Sequence, residues 1–507
     1  MKLSCLKSFY RNLPPIILAV SLFSLYLVTL APDITWANGG SDGGDLITAA
    51  ATGGIAHPTG YPLYLLIARL FQFLPLGTLA FRTNLMSALF TVLGAVLVYE
   101  LVMRSSSQQK ETYPWPAGLA AGYAFGMAPL VWSQAVITEV YALQAFFILL
   151  ILYFYTQKAP IEFAAQKRMD YWRGLLLGLA MGNHITTMFL ALPALILGSV
   201  HQKADVSGAA QRWFEKIRLD NAALRRQLTW FGIGLSIYLI LPLRALAQPP
   251  VNWGNPVTLE RFWWLVSGQL YRSYYLQVSL DGFWEQFQAW AALLSKQFGL
   301  PGLVLGLLGL IVFGRVSRLH ILTTWTALVF SIFAVFYRSV DSYVYLIPLF
   351  ISFAIWIGMG VAGLTREISQ KNSALGLVFG LLLAGYFLGG VVINFRQVDA
   401  SHDARAEVFG REVLSTAPEN ALIFAKGDQA IFAVWYFHFA LKERPDLIVI
   451  ATDLLHFEWY QETLQSTYPL LVLPEPFPWP ATIEAANPAL PVCSVENTGV
   501  AEIECVE

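Results

Sequence analysis

The loop that reads ITWANGGSDGGDLITAAATGGIAHPTGYPLY (34–64) holds the densest chemistry of this sequence. Asp42 and Asp45 stand three apart across two glycines, so on a nascent helix both carboxylates face one way. That is an acid/base arrangement. A structural alternative is a capping box, with Asp42 as the N-cap and Asp45 reaching back to it. The glycine-rich approach weakens that alternative, because glycines let a ligand or another backbone come close, and the two readings stay open. His57-Pro58 and Gly60-Tyr61-Pro62 then form a rigid turn, with His57 placed to work beside the carboxylates.

Ionisable residues at the ends of apolar stretches are the next candidates, since a charge there is costly. Glu139 opens a helix in ITEVYALQ, His184 caps a break in GLAMGNHITTMF, and Arg244 ends the helix in LILPLRALA. Arg338 and Asp341 flank the turn in FYRSVDSYVYLIP, where a pair between them is as reasonable as a substrate contact. The Asn252-Trp253-Gly254 loop and the Tyr271 region offer aromatic faces that stack on sugars; an interfacial aromatic belt is the alternative.

The elements that carry these residues are membrane spans. With 507 residues, 56% hydrophobic and only 13% charged, the chain is too apolar for a soluble enzyme of its length. A net charge of -1 supplies no global field for nucleic acid or an acidic substrate. A bilayer needs about 20 apolar residues per helix, and the runs near 13–31, 82–103, 115–133, 139–157, 228–247, 298–314, 320–337, 343–364 and 374–395 qualify. The stretch 171–200 is too long for one pass, and Gly182-Asn183-His184 interrupts it between basic flanks, so it goes in and returns as two short helices. That makes about eleven transmembrane helices in all.

The run 61–76 reads as an interfacial helix with Arg69 on its wet face, which leaves the basic loops on one side. The N-terminus is then cytoplasmic, its first apolar segment a retained anchor rather than a cleaved signal. Outer segments are 32–81, 248–297 and 396–507. Residues 1–395 form the transmembrane domain and 396–507 a separate extracytoplasmic one, a small α/β unit with strands at ALIFAKG and DLIVIAT and a proline-rich tail read as extended loop. Cys493 and Cys505 share that exported tail, where a disulfide is permitted, though idle thiols are equally reasonable.

Carboxylates and cations together at an outer membrane face suit sugar transfer from a lipid phosphate: a carboxylate takes the acceptor hydroxyl's proton while cations hold the departing phosphate. A transporter or flippase of a lipid-linked sugar is the alternative. Transporters usually show two matching halves, and this chain shows none. No HExxH-like or cysteine-rich spacing points to a metal, although lone carboxylates can recruit a divalent ion.

The loop SDGGDLITAAATGGIAHPTGYPLY resembles the signature of the domain-of-unknown-function 2723 family, usually D-S-G-E followed by H-P-P-G-Y-P-L. That family includes the transmembrane protein 260 type O-mannosyltransferases and falls in the GT-C superfamily. Similarity continues through RTNLMSALF, TEVYALQAFF, GLAMGNHITTMFLALPAL and LPLRALAQPPVNWGNPVTLERFWWLVSGQLY, and into the exported domain at SHDARAEVFGREVL and KGDQAIFAVWYFHFALKERPDLIVI. The resemblance implies a polytopic α-helical GT-C-like fold and an inverting transferase that takes a sugar, mannose or another hexose, from a polyprenyl-phosphate donor. The acceptor is a hydroxyl on protein or cell-envelope glycan, and no cofactor is indicated. It implies Asp42 as general base and Asp45 as its partner or an acceptor-hydroxyl ligand. His57, Tyr61, His184, Arg244, Asn252, Trp253 and Arg338 would contact substrate, and Glu139 would line the cavity. Asp45 stands where the family has glutamate, Gly43 where it has serine, and Thr59 where a second proline is common.

Overall fold

The structure, a computed structural model, describes residues 2–106, 114–157, 160, 162–201, 218–274, 280–314, 317–337, 339, 341–475, 478–497 and 501–506. Helix α1 (Lys2–Thr29) leads into the first loop, which folds as α2 (Gly43–Thr52) and α3 (Pro62–Gln72). Then come α4 (Leu79–Ser106), α5 (Trp115–Gly126), α6 (Pro129–Ala135), α7 (Tyr141–Thr156), α8 (Phe163–Asn183) and α9 (Met188–Gly198). A short hairpin, β1 (Val200–His201) with β2 (Arg218–Leu219), precedes α10 (Asn221–Ala245) and α11 (Leu259–Val266). The bundle ends with α12 (Gly282–Val312), α13 (Arg318–Phe336), α14 (Ser342–Ser369) and α15 (Ser373–Val398).

Among the described residues, six of these helices (α4, α10, α12, α13, α14 and α15) are long and apolar enough to cross a membrane. Of the other expected spans, 13–31 lies on α1, and the rest fall on shorter or broken helices. The run 115–133 is split because Pro129 starts a new helix just after Gly126, and a proline is pre-set for a first turn. The run 61–76 forms only the 11-residue α3, far below spanning length. The break expected within 171–200 is present: α8 ends at Asn183, and a single turn of tight helix (Ile185–Thr187) joins it to α9.

Helix α14 is the central strut, buried along nearly all its length, whereas α10 and α15 leave most of their residues half-buried or exposed, the kind of face that a bilayer covers. Helices α8 and α10 touch backbone to backbone, since a Cβ on Gly178 would lie 2.3 Å from the Phe231 carbonyl oxygen. Arg226 of α10 closes that pair with a 2.7 Å bond to Asp170 of α8. Arg173 of the same basic flank is buried and donates to the carbonyls of Phe154, Gln157 and Gly198, groups that the ends of α7 and α9 leave unpaired.

Beyond the bundle, α16 (Arg405–Thr416), β3 (Leu422–Lys426), α17 (Asp428–Trp435), β4 (Ile448–Ala451), α18 (Glu458–Thr467), α19 (Pro480–Ala486), β5 (Val492–Asn497) and β6 (Ala501–Val506) form an α/β region. The sheet order is β4-β3-β5-β6, with β3 parallel to β4 and β5, and β6 antiparallel to β5. Residues 422–425 of β3 are all buried, as expected of a parallel strand covered on both faces. Cys493 and Cys505 are directly opposed on β5 and β6 and form a disulfide. The proline-rich tail is not wholly extended: Pro480 at a first helical position and the Thr482 hydroxyl, which accepts the Trp479 N–H at 2.9 Å, start α19 inside it.

Candidate active site

Asp42 is the N-cap of α2, but its side chain makes no capping hydrogen bond, so the capping box does not form. Asp45, one turn on, is 0% exposed. Its Oδ2 accepts from the backbone N–H of His57 at 2.9 Å and lies 2.7 Å from His57 Nδ1, and its Oδ1 accepts from Trp253 Nε1 at 3.0 Å. The other imidazole nitrogen, Nε2, lies 3.6 Å from Asp42 Oδ2. One histidine therefore bridges two carboxylates, one sealed and one with 37% of its side chain exposed.

Local chain geometry explains this bridge. After α2 ends on Gly53 in the left-handed region, the chain reverses and pairs with residues 251–253: Ile55 N–H donates to the Val251 carbonyl at 2.9 Å, and Trp253 N–H to the Ile55 carbonyl at 3.3 Å. Only glycine fits at 54, because a Cβ there would be 2.3 Å from the Val251 carbonyl oxygen. This pairing sets His57 and Trp253 on Asp45 from opposite sides.

Burial opposes a charge on His57, but the carboxylates of Asp42 and Asp45 outweigh it and raise its pKa to about 9. The ring is an imidazolium at neutral pH. Burial raises Asp42 above the usual carboxylate range against the pull of His57. Asp428, at the start of α17, is pushed up to about 6 by burial and then by the charge of Asp42.

The α/β region reaches into the site. A Cβ on Gly44 would lie 2.4 Å from the Phe432 carbonyl oxygen, so α2 and α17 touch through their backbones. The Phe432 ring stacks on His57 at 6.5 Å, and Trp253 packs against Trp435 at 6.4 Å and Trp459 at 5.8 Å. Asp403 fastens the junction, its Oδ2 accepting from the Thr35 hydroxyl at 2.5 Å and from the N–H groups of Trp36 and Ala37. The expected sugar-facing Trp253 is thus only 5% exposed, its faces taken by aromatic rings of the α/β region. The alternative of Asp45 as an acceptor-hydroxyl ligand meets the same obstacle, because its oxygens are enclosed and already bonded.

The remaining candidates form a second ring. Tyr61 lies edge-on to His57 at 5.1 Å and on its other side meets His184 at 5.8 Å. Glu139 is buried just before α7, within electrostatic reach of Asp42 and His57. Arg244 donates to the Gly54 carbonyl at 3.0 Å, with Arg69 near enough to repel it. Asn252 is buried and bonded through Nδ2 to Asn255 at 3.2 Å, and its Oδ1 has no partner among the described residues. Arg338 lies outside the described residues. Among the described residues, no group of three or more His, Cys, Asp or Glu side chains is placed to hold a metal ion.

Tyr141, Tyr345 and Phe432 join the site without a warning from their own sequence positions. Tyr141 follows Glu139 by two residues, and Tyr345 closes the turn that contains Asp341. Aromatic residues are so frequent here, at 14% of the chain, that their type alone selects none of them.

Residues 42–207 match the protein O-mannosyl-transferase TMEM260 N-terminal domain, which starts on Asp42, and residues 406–470 match TMEM260-associated domain 2. The chain is 25% identical to protein O-mannosyl-transferase tmem260 of Dictyostelium discoideum, over 88% of this chain and 58% of that protein. To the Mus musculus protein O-mannosyl-transferase TMEM260 it is 26% identical, over 83% and 60% respectively. It therefore spans about three fifths of the length of these relatives (58% and 60%). Among solved structures it is similar to ArnT from Cupriavidus metallidurans bound to undecaprenyl phosphate, with a TM-score of 0.63 at 12% identity over 96% of this chain and 93% of that one. The archaeal oligosaccharyltransferase AglB from Archaeoglobus fulgidus, in complex with an inhibitory peptide and a dolichol-phosphate, gives 0.51 at 11% identity, over 96% and 70%. The chain is thus similar in sequence to the TMEM260 protein O-mannosyl-transferases over these stretches, and its fold is that of ArnT and AglB.

Proposed function

We propose that this chain is a membrane glycosyltransferase that moves a hexose, mannose foremost, from a polyprenyl-phosphate carrier to a hydroxyl on protein or cell-envelope glycan at the outer membrane face. The observation that carries this reading is the relay Asp42–His57–Asp45, in which a half-exposed carboxylate is backed by an imidazolium that a sealed carboxylate holds. The names of the relatives support mannose and a protein acceptor, and the lipid phosphates in the structures of ArnT and AglB support the donor class.

Asp42 takes the acceptor hydroxyl's proton as that oxygen bonds to the anomeric carbon. The bond from the anomeric carbon to the phosphate oxygen breaks on the opposite face, and its electron pair leaves with the polyprenyl phosphate, so the centre inverts. His57 steadies the charge of Asp42. Asp45 and Trp253 position His57. Arg244, with Arg69 beside it, is the cation for the departing phosphate. The scheme draws on no resident cofactor.

Transfer from labelled polyprenyl-phosphate mannose by the purified chain tests this reading. Asp42→Asn is expected to lower the rate by about 100-fold or more while the protein stays folded. Equal label with both proteins would remove Asp42 as base, and label that crosses the membrane without a new glycosidic bond would make the chain a carrier. The reading also places the N-terminus in the cytoplasm and the α/β region outside, where the Cys493–Cys505 disulfide is at home. A reporter fused at about residue 50 should localise outside and one at about 105 inside, and both on one side would overturn this placement.

A further inference from the structure

His184 occupies the break between α8 and α9 and is 4% exposed. Its Nδ1 lies 3.4 Å from the backbone N–H of Thr186 and 2.8 Å from the Thr186 hydroxyl. A backbone N–H only donates, so Nδ1 is an acceptor there. The hydroxyl agrees with this, because Gln144 Nε2 donates to it at 2.7 Å and leaves its own proton for Nδ1. With two donors converging on Nδ1, the neutral ring carries its proton on Nε2.

That Nε2 has no hydrogen-bond partner among the described residues, and the residue as a whole is 4% exposed. Three tyrosine rings surround the imidazole: Tyr61 at 5.8 Å, Tyr141 at 5.9 Å and Tyr345 at 5.8 Å. The titratable groups facing His184 are these phenols and, beyond Tyr61, His57. Burial, and then the repulsion of His57, depress its pKa to about 3.

A neutral donor framed by aromatic rings suits a sugar, whose hydroxyls accept hydrogen bonds and whose C–H faces pack on rings. It suits a phosphate poorly, because phosphate is best held by cations. We infer that His184, as a neutral Nε2–H donor, forms with Tyr61, Tyr141 and Tyr345 the subsite for the sugar ring of the lipid-linked donor, distinct from the Arg244 side where its phosphate is held. This assignment rests on the glycosyltransferase reading.

The test is binding of two carriers, polyprenyl-phosphate mannose and bare polyprenyl phosphate, to the full chain in lipid nanodiscs. His184→Phe should weaken the mannose-loaded carrier about tenfold and leave the bare one unchanged. His184→Gln, which keeps an N–H near the position of Nε2, should recover most of the loss. Equal weakening of both carriers would overturn the sugar subsite in favour of a phosphate contact, and so would no change with either. A second arm does not depend on transfer. In protein labelled with 15N at its histidines, the resonance absent from the His184→Gln variant should report a neutral Nε2–H ring that does not titrate between about pH 5 and 8. A proton on Nδ1, or titration in that window, would overturn the donor assignment even in an active enzyme. Wild type that binds neither carrier would remove the glycosyltransferase reading and the subsite with it, whatever the spectrum shows.

Discussion

Two histidines flank Tyr61, and the first loop and the α8–α9 break treat them in opposite ways. His57 holds one carboxylate on each nitrogen and is charged, with its pKa raised to about 9. His184 holds a threonine hydroxyl and a backbone N–H on one nitrogen and is neutral. Both are buried to a similar degree, 8% and 4% exposed, so burial does not separate them. The sign of the nearest partner does. Desolvation penalises the charged form in both places, and only the carboxylates around His57 overcome it. Tyr61 is thus in ring contact with one charged and one neutral histidine.

Replacing Asp45 with Asn should weaken this contrast, with Asp42 left to hold part of the charge on His57, and have the largest effect of the three substitutions that follow. The residue would still fit, but His57 would lose its buried counter-charge, and transfer should fall by about 100-fold. Stability would respond with a definite sign. A histidine raised from about 6.5 when unfolded to about 9 when folded contributes stability that is fully present below about 6.5 and is lost as pH rises through about 9. Melting temperature should therefore decline across that window in wild type, and Asp45→Asn should flatten the decline. An unchanged profile would mean that Asp45 does not set the charge of His57.

Trp253→Phe sharpens the comparison by keeping the packed ring and removing only the N–H on Asp45. Loss of this bond leaves a buried charged acceptor short of a donor, which should cost about 1–3 kcal/mol and lower kcat about tenfold with KM nearly unchanged, as steady-state kinetics would read. A change confined to KM would place Trp253 against substrate instead.

The smallest effect is expected at Gly44. An added methyl meets the Phe432 carbonyl oxygen at 2.4 Å and must push α2 from α17, at a cost of about 1–3 kcal/mol in stability by chemical denaturation. Activity should drop only severalfold, because Asp45 moves with α2. Stability equal to wild type would show that the α/β region does not press on the first loop.

Much of this architecture was legible in the residues themselves. Six of the long apolar runs, the break at Gly182-Asn183-His184, the short helix within 61–76 and the β-rich stretches ALIFAKG and DLIVIAT correspond to elements of the structure. Each depends on the character of neighbouring residues, and periodicity and length report that directly. The Asp42, Asp45 and His57 group was visible for the same reason, since only 12 residues separate Asp45 from His57.

What each side chain does there was not legible. Asp45 is sealed by Trp253, 208 residues away, which is itself enclosed by Trp435 and Trp459 of the α/β region. His184 is neutral because Gln144, 42 residues before Thr186, turns that hydroxyl toward it. The sequence by itself determined which segments are helical and apolar and which loop carries the ionisable groups. Tertiary structure alone decided which carboxylate is open, which histidine is charged and where the α/β region meets the site, because charge states are set by burial and by partners that folding brings from far along the chain.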